Sequence, residues 1–298
     1  EFYRDKFNSD KFSQDYLHDR GLKDETIERF GIGFSPDAWH NLDAVFSPDL
    51  KPLLLEAGLQ RTGQSGNVYD FFRNRLMFPI RNIRGQVIAF SARTMIGEEP
   101  KYINTGDTPI FTKGSEVFGL YEARKSIQDK KRVIVVEGQM DVIQLSQAGF
   151  GEACAPLGTA IRAEHIERLL KMTDQVIFSF DGDASGRKAA KRAMELSLPL
   201  LDEGEDPDSL VKKSGAPAFE EMLKKALPLS SYLIEALSQG LDLAVLEDRN
   251  AFIEEASPLV RKTKSPLLRD GLIERLSTAV GYKNSDELRK YFGFPVLP

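Results

Sequence analysis

The sequence has little of the chemistry that disulfides and zinc sites need. Of its 298 residues, one is a cysteine, Cys154, and three are histidines. A single cysteine excludes an internal disulfide and a multi-cysteine zinc site within this chain, and it is typical of a reducing compartment. No apolar run approaches the roughly 18 residues that span a membrane, and the charged start EFYRDKFNSD is unlike a signal peptide. We therefore expect a cytoplasmic protein with no membrane partner.

The composition is that of an ordinary globular protein. Hydrophobic residues make up 41% and charged residues 29% of the chain, with 23 glycines and 15 prolines. These values exclude the disordered, collagen-like and disulfide-scaffold classes. The length predicts about two domains, or three if one of them is small.

The net charge of −5 conceals an asymmetry along the chain. Residues 61–132 contain thirteen Lys and Arg against seven Asp and Glu, a net of +6, so the remainder carries −11. One interpretation is two solvated faces. The other is an anion-binding surface beside a metal-binding one, which would need this separation of charge.

The first part of the chain, 1–126, is predicted to be an α+β domain. Apolar spacing around Phe12 and Leu17 favours a helix, and a second helix is expected to begin at Asp24. The segments RLMFPI and VIAFSA on either side of Arg84-Gly85 predict a β-hairpin. This domain holds most of the basic block.

Strands and helices then alternate over 127–214, which predicts an α/β domain. VIVV (133–136), GEACAP (151–156) and QVIFSF (175–180) are apolar runs separated by helical patterns, as in a parallel sheet with helices on both faces. Ligands of such sheets bind beyond the carboxyl ends of the strands. The remaining residues, 215–298, predict a small helical domain.

Three acidic signatures follow one another in the α/β region, the first two at strand ends. They are Glu137-Gly138-x-x-Asp141, Asp181-Gly182-Asp183 and Glu205-Asp206-Pro207-Asp208. Each motif alone also occurs as a turn or a helix cap. Together, and with ASGR (184–187) opening the helix after the second of them, they have the order of a TOPRIM signature. Oxygen ligands without His or Cys favour Mg²⁺ or Mn²⁺, ions that stabilise charge in phosphoryl and nucleotidyl transfer.

The sequence resembles the catalytic RNA polymerase domain of bacterial DnaG-type primases, which carries a TOPRIM fold. The similarity covers almost the whole chain, and TOPRIM motifs alone also occur in topoisomerases and nucleases. The segments that select the primase family are PKYIN (100–104) and FTKG (111–114), and further similarity runs through YLHDRGLKDETIERFGIGFSPDAW, FFRNRLMFPIRNIRGQVIAFSAR, VVEGQMDVIQL, FDGDASGRKAA and GEDPDSLV. The resemblance implies a DNA-templated RNA polymerase that makes primers from NTPs on single-stranded DNA during replication.

The resemblance also implies roles for individual residues. Its metal ligands match Glu137, Asp181, Asp183, Asp206 and Asp208, with Asp141 in support; the first three are also the expected catalytic acids. Basic residues for nucleotide phosphates and the template-primer backbone match Arg93, Lys101 and Lys113, with Tyr102 and Asn104 in the same strip. By similarity, Arg73 and Arg75 lie along the template groove.

The chain departs from the family pattern in three places. The family's zinc-binding domain, where a zinc ion is expected, is absent, and the chain is expected to stop before the domain that binds the replicative helicase. We therefore expect a catalytic core taken from a longer protein that works at the replication fork. The family also has a strand before EDPD, for which LPLLDEGEDPD leaves no room. Either the sheet lacks this strand or, as we expect, residues are missing between 202 and 205.

Two alternatives to primer synthesis stay open. A TOPRIM nuclease or a topoisomerase-like enzyme would use Glu137 for acid/base work on a DNA phosphodiester, and a degenerate primase-like module would only bind. None of the three histidines, His18, His40 and His165, is assigned to chemistry. Trp39 and the pair Phe71-Phe72 are interpreted as core rather than as a base-stacking platform. Cys154 is expected to be buried packing.

Overall fold

The computed structural model describes residues 1–158, 161–173, 175–181, 183–194, 207–263 and 266–296. Residues 195–206 lie outside these ranges. The expectation that residues are missing between 202 and 205, where the family has a further strand, therefore also lies outside the described residues. None of the helices in the described ranges is long and apolar enough to cross a membrane.

Three short helices open the chain. They are α1 (Phe2–Ser9), α2 (Lys11–Asp19) and α3 (Asp24–Phe30). The carboxylate of Asp10 caps α2 by accepting the Ser13 N–H at 2.7 Å, and α3 ends at Gly31, whose φ of 64° is left-handed. The two helices expected in this segment are confirmed.

An antiparallel sheet follows these helices. It contains β1 (Gly33–Ser35), β4 (Arg75–Arg81), β5 (Val87–Thr94) and β6 (Tyr102–Asn104), in the order β1-β4-β5-β6. Between β1 and β4 lie two 3₁₀ helices, α4 (Lys51–Glu56) and the small hairpin of β2 (Gln60–Thr62) and β3 (Val68–Asp70). The predicted hairpin is β4–β5, and its turn holds Gly85 at a φ of 87°.

The α/β region is built as predicted, with one added strand at its edge. Its elements are β7 (Val117–Phe118), α5 (Leu120–Lys130), β8 (Val133–Val135), α6 (Gln139–Gln147), β9 (Ala153–Pro156), α7 (Ala163–Leu170), β10 (Val176–Phe178) and α8 (Ala184–Met194). The strand order is β10-β8-β9-β7. The first three strands are parallel and β7 is antiparallel to β9, so the sheet is mixed.

Both faces of this sheet are buried, which explains its continuous apolar runs. Along β8, Val133 and Val135 belong to one hydrophobic core and Ile134 to another. The first core includes the later helices, and the second includes the opening helices and β4. Cys154 on β9 is fully buried, as expected.

Within the described residues from 207 onward lie five helices: α9 (Pro207–Lys224), α10 (Leu229–Ser238), α11 (Leu246–Lys262), α12 (Pro266–Ala279) and α13 (Asp286–Phe292). The expected helical region is therefore present. The predicted domain boundaries, after 126 and after 214, fall inside α5 and α9. The division of the chain into domains at these positions stays a prediction.

Candidate active site

Two acidic side chains meet at the carboxyl ends of neighbouring strands. Glu137 follows β8 and Asp181 follows β10, and β8 and β10 are adjacent and parallel. The Asp181 backbone N–H donates to Glu137 Oε1 at 3.0 Å. The fold thus brings together the two acids that the strand-end pattern singled out.

The site opposes ionisation of Glu137. Burial, and then the nearby charge of Asp183, raise the pKa of this carboxyl, while the hydrogen bond from the Asp181 N–H acts in the opposite direction. Asp183 itself is exposed, and its Oδ1 accepts the Gly186 N–H at 2.7 Å at the start of α8. A Cβ at residue 186 would overlap the carbonyl oxygen of Asp181, so the close turn requires glycine.

The donor chemistry of this edge fits a hard divalent cation. Carboxylate oxygens of Glu137, Asp181 and Asp183 are the candidate ligands, and the cavity beside them is lined by no His or Cys among the described residues. Among the described residues, no three Asp, Glu, His or Cys side chains are arranged so that they could hold a metal ion together. Of the other two predicted ligands, Asp206 lies outside these ranges, and the description of Asp208 is limited to its place in α9.

One cavity of about 620 Å³ joins the acids to the basic strip. Three of its cations come from the basic strip: Arg93 lies on β5, Lys101 directly precedes β6, and Lys113 lies in the loop before β7. Its lining includes Arg93, Lys101, Tyr102, Asn104, Lys113, Glu137 and Asp181. The arrangement provides positive charge for phosphates beside carboxylates for a cation.

Arg93 is a buried cation with spare hydrogen-bonding capacity. Its side chain is 7% exposed, and its guanidinium lies 5.6 Å from the Tyr102 ring and 5.7 Å from the Tyr16 ring. Its Nε and the Asn104 Oδ1 have no hydrogen-bond partner among the described residues. Burial raises the pKa of Tyr102 to about 12, so its hydroxyl stays protonated. A buried, incompletely paired cation in a cavity favours an anionic ligand.

The segment that carries Lys101 is held by Arg75. Arg75 is buried, and its Nη1 donates to the carbonyl oxygens of Pro100 at 2.9 Å and Lys101 at 3.4 Å. Burial lowers its pKa from the ordinary value, with the charge of Arg73 acting in the same direction. The placement makes Arg75 a support for Lys101, whereas the template-groove role expected from the sequence stays a prediction.

Trp39 does not lie in the core, which corrects the interpretation made from the sequence. Its side chain is 56% exposed, and the guanidinium carbon of Arg73 lies 3.7 Å from the ring centroid. Tyr69 packs edge-on against Trp39, with centroids 5.4 Å apart. These residues line a second cavity, of about 360 Å³. Of the phenylalanine pair, Phe72 is fully buried and Phe71 only partly so.

Arg20 is a cavity residue that the sequence reasoning missed. It follows α2 and lines the cavity of about 620 Å³, where its guanidinium lies 4.5 Å from the Tyr16 ring and donates to the Tyr16 hydroxyl at 2.8 Å. The segment YLHDRG contains it, but an arginine at a helix end is also an ordinary helix-capping feature. No local signal separated the two roles.

Three family models match successive parts of the chain. They are "DNA primase catalytic core, N-terminal domain" at residues 2–124, "Toprim domain" at 131–209 and "DnaB-helicase binding domain of primase" at 230–281. The DNA primase of Neisseria meningitidis serogroup A is 41% identical over 305 residues, which covers 98% of this chain and 51% of the relative. The chain belongs to the DnaG-type DNA primase family.

Solved primase structures have the same fold. A DNA primase domain from Pseudomonas aeruginosa is similar with a TM-score of 0.91 and 40% identity, covering 97% of this chain and 95% of that one. A DnaG primase catalytic domain bound to ssDNA matches with a TM-score of 0.88 and 38% identity, covering 96% and 94%. The chain spans about half the length of the curated primases that it matches.

The third family match corrects one expectation. The helicase-binding region was expected to lie beyond this chain, yet its model matches 230–281, from α10 into α12. The helical region therefore carries a primase signature that the sequence reasoning did not detect.

Proposed function

We propose that this chain is the catalytic core that synthesises RNA primers on a single-stranded DNA template. The observation that carries the proposal is the single cavity in which Glu137 and Asp181 face Arg93, Lys101 and Lys113. The cavity pairs carboxylates for a divalent ion with cations for a triphosphate, which is the requirement of nucleotidyl transfer. The named relatives are DNA primases, which favours this activity over a TOPRIM nuclease.

In the proposed reaction, a 3′ hydroxyl oxygen forms a bond to the α-phosphorus of an incoming NTP. The bond from that phosphorus to the bridging oxygen of the β-phosphate breaks, pyrophosphate leaves, and the hydroxyl proton passes to solvent. Arg93, Lys101 and Lys113 bind and orient the triphosphate, and Arg75 keeps Lys101 in place. A divalent ion, Mg²⁺ or Mn²⁺, bound at the carboxylates would acidify the hydroxyl and neutralise phosphate charge.

The template is assigned to the basic first region. Arg73, stacked on Trp39, offers a cation and an aromatic face at the second cavity, a combination suited to phosphates and unpaired bases. A primase structure bound to ssDNA is among the similar structures. We further assign the helical region at 230–281 as a candidate contact for the replicative helicase, at the replication fork in the cytoplasm.

A nucleotide-incorporation assay tests the proposal. Purified chain, single-stranded template, Mg²⁺ or Mn²⁺ and radiolabelled NTPs should yield short RNA products. EDTA, or the change Asp181→Ala, should abolish them. In the same reaction an end-labelled template should stay intact. Template cleavage without NTP incorporation would instead establish a nuclease, and an active Asp181→Ala variant would overturn the assigned site.

A further inference from the structure

A third cavity, of about 410 Å³, lies beside the cavity of about 620 Å³ that Glu137 and Asp181 line, which we call the catalytic cavity. Lys113 and Gly158 line both cavities, so the two spaces are neighbours across the Lys113 side chain. We propose that this third cavity binds the triphosphate of the nucleotide that starts the primer. The inference rests on the proposed primase function and adds a second nucleotide subsite to it.

Two cations flank the third cavity. Lys113 lies in the loop before β7, and Arg162 is the residue directly before α7. Both side chains lie against glycines. A Cβ at Gly114 would stand 2.6 Å from Nη1 of Arg162, and one at Gly158 would stand 3.1 Å from Cε of Lys113. The glycines leave room for the cationic side chains at the cavity wall.

The backbone of Arg162 is fixed by a buried histidine. Nδ1 of His165 accepts the Arg162 N–H at 3.1 Å, and the His165 side chain is 1% exposed. Burial lowers the pKa of His165, so the ring is neutral and keeps Nδ1 as an acceptor. Its anchoring holds the start of α7, and with it Arg162, at the edge of the cavity.

The charge of the lining favours a phosphate group. Against Lys113 and Arg162 there is one carboxylate among the described lining residues, Asp107. Its Oδ1 accepts the Lys113 N–H at 2.8 Å, so this carboxylate fixes the loop that carries Lys113. Thr112 also lines the cavity. Two cations suit an anion that makes several charge-assisted hydrogen bonds.

The chemistry of initiation needs such a subsite next to the catalytic cavity. In the first bond, one nucleotide supplies the α-phosphate, and the other supplies the 3′ hydroxyl and keeps its own triphosphate. That second triphosphate must be held outside the space of the incoming one, yet within one nucleotide of it. Once a primer exists, its 3′ end supplies the hydroxyl, and the requirement disappears.

The test compares starting a primer with extending one. We expect Arg162→Ala to raise the KM of the initiating NTP by about 10-fold, because a charge-assisted hydrogen bond is lost. Extension of a preformed RNA primer on the same template should keep wild-type rates. A start from a nucleoside without phosphates should also be unaffected. Arg162→Lys should restore part of the loss, and Arg84→Ala, which removes an exposed arginine in the β4–β5 turn, should change nothing.

Other outcomes separate the proposal from its competitors. Equal losses in initiation and extension would show that Arg162 serves the catalytic cavity, and an unchanged KM with weaker ssDNA binding would show that it holds a strand phosphate. Either result overturns the subsite. If the wild-type chain extends primers but cannot start them from NTPs, the subsite is overturned and the proposed function stands. If it neither starts nor extends primers, the proposed function itself is overturned.

Discussion

Ionised Glu137 lowers the stability of the folded state, because the fold raises the pKa of its carboxyl. A raised pKa in the folded state favours the protonated form, so the free energy of unfolding falls as the pH rises from 4.5 through the raised pKa, and the loss is complete above it. Glu137→Gln removes the charge and keeps an oxygen for the Asp181 N–H. We expect its melting temperature, measured without metal at pH 7, to equal or exceed that of the wild type. The difference should vanish below the ordinary glutamate value of 4.5.

The same variant should lose primer synthesis by at least about 100-fold, the usual scale for a lost electrostatic partner of a reacting phosphate. Glu167→Gln, an exposed change on α7, is the matched control and should keep both properties. A Glu137→Gln protein that is clearly less stable at pH 7 would contradict the electrostatic account, and one that still polymerises would contradict the assigned role.

At residue scale, the acids and the basic strip of the cavity could be predicted from the sequence, whereas Arg20 and the exposed position of Trp39 could not. Glu137 and Asp181 each end an apolar strand, and parallel strands place such ends together. Arg20 and Trp39 come from the first forty residues, and their positions depend on how the opening helices pack onto the sheet. Sequence spacing carries no information on that packing, so Arg20 was missed and Trp39 was assigned to the core.

At the scale of elements, an ionic cluster ties α9 to the strands. Arg132, directly before β8, donates to Glu152 before β9 at 2.9 Å and to both oxygens of Glu220 on α9 at 2.7 Å. Lys130 also donates to Glu152 at 2.8 Å. The Glu152 side chain is fully buried, whereas that of Glu220 is 35% exposed. Neutralising the buried partner should therefore cost far more.

We expect Glu152→Gln to lower the free energy of unfolding by about 3 kcal/mol, since Arg132 and Lys130 both lose the fully buried carboxylate to which they donate. Glu220→Gln should cost at most about 1 kcal/mol. The Arg132 hydrogen bonds lower the pKa of Glu220, so its contribution is present above pH 4.5 and is lost as the pH falls through the lowered pKa. Urea unfolding over a series of pH values, from neutral into the acid range below 4.5, measures both effects. A Glu220→Gln effect that does not shrink as the pH falls through that range would argue against the ionic origin.

The strands of the α/β region could be predicted except for β7. β8, β9 and β10 are apolar runs bounded by glycine or charge, which is a strong pattern. β7 is two residues long and pairs with Pro156 and Ala155 on β9, far along the chain. No period can be measured over two residues, so the antiparallel edge escaped detection.

For the whole molecule, basic and acidic residues that are separated along the chain lie together in the folded structure. The basic block of 61–132 supplies Arg93, Lys101 and Lys113, and the α/β region supplies Glu137 and Asp181 to the same cavity. Charge counts alone favour two solvated faces. Only the packing of the first sheet against the parallel sheet decides between the two interpretations, and no window of sequence reports on it.

Single-stranded DNA should bind this molecule through phosphates, with affinity that falls steeply as salt rises. Each cation that meets a phosphate of a single strand contributes about 0.7 to the slope of log affinity against log salt. Arg73→Ala should reduce that slope by about this amount, whereas Arg73→Lys should keep it. Arg75→Ala should leave the slope unchanged, because its guanidinium is bonded to the carbonyls of Pro100 and Lys101.

Trp39→Ala separates stacking from charge in the same titration. Loss of one aromatic platform should weaken binding by about 1–3 kcal/mol at every salt concentration and leave the slope of the wild type, because no counterion is involved. Fluorescence anisotropy of a labelled oligonucleotide from low to physiological salt measures both parameters, and Arg84→Ala is the control for an exposed arginine elsewhere. Salt-independent binding, or a Trp39→Ala slope that falls with affinity, would show that the cavity beside Arg73 is not where the template backbone runs.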